Sequence, residues 1–346
     1  MIIIGCDFHP SWQQVAWLDR ETGETGEQKL VHGSGEAQPF YKQLPRPALV
    51  GMEATGNCQW FIELVEDLGH VLWIGDAAQI RAGYVRKQKN DRRDAGHILK
   101  LLAEGRFPRL WAPDREQRDL RQLVLHRHKL VLIRARVKNE LQHLSLNKGM
   151  QRKRRLGSQA GLELLQALPL KPWAARRRED LLALLSSLDQ QIGKLDAAVL
   201  LAAQKDAQAR LLMTQPGVGP NTALAFVLTV GDVSRFQRGK QVASYLGLIR
   251  REESSGGRQK LGAITKQGNR LLRSLLVEAA QVAVRYDPQF RKQYWHRCHS
   301  KPKGVAKVAA ARKLAIRLYW MLRTQTGYPD VVRIESSSRV ALVGAS

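Results

Sequence analysis

Cysteine is scarce in this chain of 346 residues, and long apolar runs are missing from it. Its three cysteines, Cys6, Cys58 and Cys298, follow neither the spacing of a zinc site nor that of a disulfide framework, which argues against both. No run approaches the roughly 18 apolar residues of a membrane span, and the N-terminus lacks the features of a signal peptide. We therefore expect a protein that works inside the cell, with no membrane partner.

Acidic side chains are also few, because 31 Asp and Glu stand against 56 Lys and Arg and leave a formal net charge of +25. Self-repulsion on this scale disfavours the compact state, so a polyanionic partner is expected. The shortage is uneven. Residues 1–80 hold 11 acidic and only 4 basic side chains, whereas the remainder has a net charge of +32. An acidic segment in such a chain suggests carboxylates gathered to hold divalent metal.

Residues 1–108 have the pattern of a mixed α/β domain. A β-branched run, then two alternating stretches, predict an antiparallel meander of three strands at 1–8, 11–19 and 27–32. Short apolar strands at 47–53 and 70–75 follow, with a helix over 58–68 between them. Three strands followed by alternating strand and helix is the element order of the ribonuclease H-like fold.

Residues 109–208 are predicted to be helical. An imperfect apolar seam at 115–146 and a second amphipathic stretch at 181–201 suggest an antiparallel coiled-coil arm. Ordinary packing of two helices inside one domain is the alternative, because few clean heptads are visible. Basic clusters at 152–155 and 176–178 lie around a less regular segment between the helices. A mostly α domain is expected at 209–328, and a disordered tail at 329–346.

Two glycine-containing segments of the third domain are candidate nucleic-acid contacts. In PGVGP, the amides of Gly217 and Gly219 can meet a phosphate at a helix N-terminus, as in a helix-hairpin-helix turn. A plain turn between helices is equally consistent. In SSGG, Gly256 and Gly257 would let the backbone approach a nucleic-acid strand closely, although a flexible linker has the same composition. Five basic residues surround this loop: Arg250, Arg251, Arg258, Lys260 and Lys266.

Four carboxylates occupy positions suited to divalent metal. Asp7 and Glu53 end predicted central strands, and Asp91 and Asp94 share one face of a predicted helix at its first turn. A two-metal phosphoryl-transfer site needs several carboxylates within a few ångströms of one another. An N-cap would explain Asp91 alone, and the helix dipole would explain Asp94 alone. The four together favour a metal site.

The same residues carry a family resemblance. The spacing of Asp7, of Glu53 in GMEATG and of the acidic pair in KNDRRDAGHI resembles the DEDD tetrad of the IS110 insertion-sequence transposases. The segments QPGVGPNTA and GLIRREESSGGRQKLGAITKQGNRLLR resemble their C-terminal transposase domain. The likeness covers residues 1–325. Arg258 stands where related chains often have lysine, a change that a phosphate contact could tolerate.

This resemblance implies a RuvC-like first domain that binds Mg²⁺ or Mn²⁺ through the tetrad, and a catalytic serine in the C-terminal domain. We favour Ser254 over Ser255 as the nucleophile, although the sequence itself does not choose. The implied activity is excision and insertion of a mobile element, guided by a bridge RNA. Expected partners are donor and target DNA, a structured guide RNA and further copies of the chain, as a dimer to tetramer. The expected location is the cytoplasm, with the nucleoid.

Two other functions fit the same residues. In a Holliday-junction-type endonuclease, the tetrad would activate water and SSGG would be only a loop. In a scaffold with a degenerate nuclease fold, the chain would bind RNA or DNA without cutting it. Covalent protein–DNA adducts separate the recombinase from the endonuclease, and metal-dependent cleavage separates both from the scaffold.

Overall fold

The computed structural model describes residues 1–83, 91–150, 158–254, 258 and 260–332. The chain divides into two compact units, Met1–Arg115 and Glu116–Ser346. The first is mixed α/β and the second is mostly helical, in agreement with the coarse fold class predicted from the sequence. The finer division into domains 1–108, 109–208 and 209–328 stays a prediction.

The first unit is built on one five-stranded sheet with the order β3-β2-β1-β4-β5. The predicted meander is confirmed, since β1 pairs antiparallel with β2 and β2 with β3, while β4 and β5 extend the sheet in parallel pairings. Short helices α1 and α3 were not expected. The elements are β1 (Ile2–Phe8), β2 (Trp12–Asp19), β3 (Thr25–Val31), α1 (Ala37–Gln43), β4 (Leu49–Glu53), α2 (Gln59–Asp67), β5 (Val71–Gly75), α3 (Ala77–Ala82) and α4 (Asp91–Ala103).

Alternate side chains of β1 enter two separate cores. Ile4 and Cys6 pack in one core with Tyr41 of α1 and Phe61 of α2. Ile3 packs on the opposite face of the sheet with residues of α4. Successive strand residues point to opposite faces, so Asp7 is directed to the α4 face together with Ile3.

Glycine allows α4 to lie directly on the sheet. Gly5 and Gly51 are register partners in the parallel β1–β4 ladder. A Cβ at Gly5 would lie 2.2 Å from the carbonyl oxygen of Ala95, and one at Gly51 would lie 2.6 Å from Leu102 Cδ1. A larger residue at Gly5 would push the backbone of α4 off the strand, and one at Gly51 would displace the Leu102 side chain. This close contact holds the first turn of α4 at the carboxyl ends of β1 and β4.

Among its described residues the second unit contains nine α-helices, which range from seven to 34 residues in length, one 3-10 helix at Val233–Arg235 and one small hairpin. Its elements are α5 (Arg115–Leu146), α6 (Gln159–Gln166), α7 (Pro172–Lys205), α8 (Ala207–Met213), α9 (Pro220–Val230), α10 (Gly239–Tyr245), β6 (Arg250–Glu252), β7 (Leu261–Ile264), α11 (Arg270–Tyr286), α12 (Pro288–Ser300) and α13 (Lys303–Thr324). Across the described ranges no helix combines the length and the apolar character needed to cross a membrane.

Helices α5 and α7 run antiparallel, as two ion pairs between them demonstrate. Arg127 Nε lies 2.9 Å from Asp196 Oδ1, and one helical stretch further on, Arg134 Nη1 lies 2.9 Å from Asp189 Oδ1. Leucines of both helices share a core with α6. A coiled coil in the strict sense stays a prediction.

The second long helix begins earlier than the predicted residue 181, since α7 starts at Pro172, where proline occupies the first helical turn, and it therefore includes residues 176–178. All three arginines are engaged within the protein. Arg176 pairs with Asp180 one turn later, Arg177 pairs with Glu140, and Arg178 Nη1 donates to the Gln166 carbonyl oxygen at 2.7 Å. The cluster at 152–155 lies outside the described residues.

A buried ion pair lies inside the C-terminal core. Arg317 Nη1 is 2.6 Å from Asp287 Oδ2, and both side chains are almost fully buried. Asp287 also caps α12 by accepting from the Phe290 amide. Val331 packs into the same core at 2% exposure, so the tail predicted to be disordered from 329 onward is anchored at its start. Residues 333–346 lie outside the described residues.

Candidate functional site

Asp7, His9 and Asp91 form a close group at the carboxyl end of β1. Each offers one ligand atom, and these atoms all lie within 4.8 Å of one another. His9 Nε2 is 3.2 Å from Asp7 Oδ2 and 3.9 Å from Asp91 Oδ1. Two carboxylates and an imidazole at this separation are a donor set that a divalent metal could share.

The surroundings of Asp7 disfavour its ionised form. Burial raises the pKa of Asp7, the neighbouring His9 lowers it, and the negative charges of Asp94 and Asp91 raise it further, with a net upward shift. Ionised Asp7 therefore lacks enough positive charge around it in the protein alone. A cation at this position would supply that charge.

The other two predicted ligands lie on the same face but outside the close group. Glu53 ends β4, whose Met52 is the register partner of Cys6, so Glu53 and Asp7 end adjacent parallel strands. Glu53 Oε1 accepts from Arg81 Nη2 of α3 at 2.9 Å. Asp94 is buried at 8% exposure on α4 and is near enough to raise the pKa of Asp7.

His9 was missed in the sequence. It follows β1 in DFH, two residues after Asp7, and its ring stacks on Trp12 with centroids 4.2 Å apart. The spacing of Asp7 and His9 was a usable signal, because residues two apart on an extended chain point to the same side. The expected association of Asp91 with Asp7 is present in this group, with His9 as an additional member.

Ser254 lies at the end of the β6–β7 hairpin with its hydroxyl held by two hydrogen bonds. Ser254 Oγ donates to Glu252 Oε1 at 2.7 Å and accepts from the Lys260 amide at 3.2 Å. The base of the hairpin is tight, since a Cβ at Gly247 would lie 2.3 Å from the Gln267 carbonyl oxygen. Ser255, Gly256 and Gly257 lie outside the described residues.

The basic residues predicted around this loop are all exposed: Arg250, Arg251, Arg258, Lys260 and Lys266. Arg251 Nη1 lies 3.6 Å from Glu253 Oε1, and Lys266 has a left-handed backbone with φ of 57°. Exposed cations on a projecting hairpin can reach phosphates without losing buried partners. Their role in nucleic-acid binding stays a prediction.

The PGVGP segment connects α8 to α9, and its two glycines have different surroundings. Gly217 has φ of 89°, and a Cβ there would lie 2.4 Å from the Ala279 carbonyl oxygen of α11. Gly217 is therefore required for packing whether or not a phosphate binds. Gly219 is exposed at the N-terminus of α9, with open space around its Cα. Of the two, Gly219 has the geometry for a phosphate contact.

A long basic segment runs through α12 and α13. Residues 288–329 contain ten Lys and Arg and no Asp or Glu. On α12, Lys292, Trp295, His296 and His299 are exposed and share one helical face by spacing, with Trp295 at 52% exposure. A helical face with one lysine and two histidines around an exposed indole ring resembles surfaces that stack an unpaired base.

Comparison with known proteins gives matches over most of the chain. Residues 4–146 match the DEDD transposase family of IS110 elements, and residues 209–295 match the transposase family IS116/IS110/IS902. A probable family 20 transposase of Pseudomonas aeruginosa is 30% identical over 334 residues, which cover 94% of this chain and 98% of that protein.

Other relatives are similar over shorter spans. The transposase for insertion sequence element IS1111A of Coxiella burnetii is 29% identical over 81% of this chain and 79% of its own. The pilin gene-inverting protein of Moraxella lacunata is 34% identical over 40% of this chain and 43% of its own. With the two family matches and a relative aligned from end to end, this chain belongs to the IS110/IS116 family of transposases.

Proposed function

We propose that this transposase excises and inserts its insertion element by serine attack on a DNA phosphate, assisted by Mg²⁺ or Mn²⁺ and guided by a structured bridge RNA. The observation that carries the proposal is the close group of Asp7, His9 and Asp91, because crowded carboxylates with a raised pKa at Asp7 fit a cation site.

The residues present suit a hard divalent cation. Asp7 and Asp91 would hold it, His9 would serve as a further ligand or as a hydrogen-bond partner that orients Asp7, and Asp94 would add negative charge. Glu53 would join by exchanging Arg81 for the metal. When bound, such an ion polarises a phosphoryl oxygen and stabilises charge that develops on it.

The strand order of the first unit supports a RuvC-like arrangement. An antiparallel β1–β2–β3 meander continued by parallel β4 and β5 is the ribonuclease H-like order expected from the sequence. In that arrangement the carboxylates collect where Asp7 and Glu53 lie, at the ends of the two central parallel strands.

Ser254 is the proposed nucleophile. A serine hydroxyl attacks well only when its proton is removed and the developing charge is met by cations. Exposed Arg250, Arg258 and Lys260 surround it on the hairpin, and its hydroxyl already has a carboxylate acceptor. A phosphoserine linkage would conserve the energy of the broken phosphodiester, so strands could be rejoined without ATP.

The charge of the second unit supports the proposed nucleic-acid partners. Residues 116–346 hold 42 basic and 16 acidic side chains, which suits a large polyanion. Guidance by the element's own RNA rests on the family resemblance. Binding of that RNA should fall steeply with salt, and equal affinity for random RNA of the same length would count against guidance.

Incubation of the full chain with DNA carrying its element's joined ends, the flanking non-coding RNA and Mg²⁺ tests the proposal. We expect a DNA-linked protein band that survives denaturation, is lost with EDTA and is lost in Ser254→Ala. Cleavage without a linked species would instead support the endonuclease. Absence of cleavage with either Mg²⁺ or Mn²⁺ would support the scaffold.

A further inference from the structure

The hydroxyl of Ser254 has a carboxylate partner that no motif suggests. Its proton is directed at Glu252 Oε1, 2.7 Å away, while its oxygen accepts from the Lys260 amide. Two bonds of opposite sense leave the hydroxyl with one defined direction for its proton. That direction leads to the side chain of Glu252.

The hairpin separates Glu252 from its neighbour Glu253. The Glu253 amide donates to the Lys260 carbonyl oxygen at 2.9 Å, which continues the β6–β7 pairing past Glu252. In extended chain, residues 252 and 254 point to one side and residue 253 to the other. Glu253 accordingly pairs with Arg251 at 3.6 Å and not with the serine. Two adjacent glutamates thus have different partners.

We propose that Glu252 is a catalytic residue: it accepts the Ser254 proton as the serine attacks DNA. This inference rests on the proposed serine mechanism. In the step, the Ser254 Oγ–P bond forms, the hydroxyl proton passes to the Glu252 carboxylate, and the bond from phosphorus to the departing strand's oxygen breaks. The departing oxygen takes a proton from solvent and leaves as a hydroxyl.

Rejoining runs the same transfer backwards. A free strand hydroxyl attacks the phosphoserine and gives its proton to solvent, the Oγ–P bond breaks, and neutral Glu252 returns its proton to the departing serine oxygen. One carboxylate therefore acts as base in cleavage and as acid in rejoining. This double role suits an enzyme that must both open and reseal each strand.

Glu252→Gln and Glu253→Gln form a matched pair for the test, because both positions are exposed and each change removes one charge. The measured quantity is the rate of DNA-linked protein formation by the full chain on its element's joined ends. Loss of a positioned proton acceptor lowers such a rate by about 100-fold or more. We expect that loss for Glu252→Gln and a change within about threefold for Glu253→Gln, well below that effect.

Chemical rescue separates proton transfer from a structural role. In Glu252→Ala, sodium formate should restore part of the rate, since a small carboxylate can occupy the space of the lost side chain at an exposed site. Sodium chloride at the same ionic strength should not. Equal responses to formate and chloride, or equal rates for the two glutamine variants, would overturn the role of Glu252.

Ser254→Ala in the same assay tells the two proposals apart. If this variant forms no DNA-linked species while Glu252→Gln retains the wild-type rate, the nucleophile stands and Glu252 is excluded as its base. If Ser254→Ala still forms the linked species, the nucleophile is another residue and both proposals fall.

Discussion

The two units of this transposase differ in their balance of charge, since the first is nearly neutral and the second is strongly basic. Met1–Arg115 holds 14 basic and 15 acidic side chains, whereas the rest of the chain holds 42 basic and 16 acidic ones. In the first unit, Asp7 lies near the carboxylates of Asp91 and Asp94, and its pKa is raised mainly by burial, with a smaller contribution from these two negative charges. In the second, a buried carboxylate forms an ion pair with an arginine, as Asp287 does with Arg317.

This difference indicates which kind of external partner each unit needs. Crowded acids are relieved by a cation, and a large excess of bases is relieved by a polyanion. The proposed mechanism uses both partners, a divalent metal and a nucleic acid. Three sets of variants test this difference. They change the carboxylate of Asp7, the buried ion pair of Asp287 with Arg317, and the exposed surface of α12.

The largest effect is expected from Asp7→Asn. If the acidic group holds the metal, strand exchange should fall by about a thousandfold or more, the scale on which loss of a main electrostatic contribution acts. The measurement is recombination of a plasmid that carries the element's ends. Asp67→Asn is the control, because Asp67 is exposed and pairs with Arg115 away from the group. A near wild-type rate for Asp7→Asn would remove it from the site.

The thermal stability of Asp7→Asn distinguishes a metal ligand from a structural residue. Because ionised Asp7 is disfavoured by burial and by its acidic neighbours, metal-free Asp7→Asn should unfold at a higher temperature than the wild type. Thermal unfolding in EDTA measures this. A lower melting temperature would identify Asp7 as a structural residue instead.

The next largest effect is expected from the buried ion pair of Asp287 with Arg317 in the second unit. Asp287→Ala leaves Arg317 charged in the core without its partner and should cost about 3–5 kcal/mol of unfolding free energy. Replacement of both, as Asp287→Leu with Arg317→Met, should recover most of that loss, because no buried charge remains. Urea unfolding measures both. Equal destabilisation of the single and double variants would show that the cap on α12, and not the charge, dominates.

The smallest effect concerns the basic surface on α12. Trp295→Ala should weaken binding of mixed-sequence single-stranded DNA by about 1–3 kcal/mol, the range for one stacked base, and leave duplex binding nearly unchanged. Lys292→Ala should instead weaken both and reduce the salt dependence of binding. Fluorescence anisotropy at several salt concentrations measures these changes. Equal losses for single strands and duplexes in Trp295→Ala would exclude stacking.

Local patterns predicted the strands of the first unit closely. The β-branched run before Asp7 became β1 (Ile2–Phe8), and the apolar segment before Glu53 became β4 (Leu49–Glu53). Asn269, a residue type that favours helix N-caps, caps α11 by accepting from the Leu272 amide. Side-chain alternation and caps are properties of neighbouring residues, so the sequence contains them directly.

The remaining features depend on distant residues. Asp91 reaches Asp7 and His9 because α4 lies on Gly5 and places its first turn at the end of β1. The arginines at 176–178 lie in a helix because it starts at Pro172, earlier than its apolar periodicity indicated. The pairing of Glu252 with Ser254 depends on how the hairpin closes, which composition does not specify.

In the proposed mechanism the basic unit supplies the nucleophile, so the residue that becomes attached to DNA identifies it. Linked protein formed with Mg²⁺ on the element's joined ends can be digested with protease and nuclease, and the nucleotide-bearing peptide can be sequenced by mass spectrometry. We predict a nucleotide on the hydroxyl of Ser254. Attachment at Ser255, at another residue or at none would contradict the assignment.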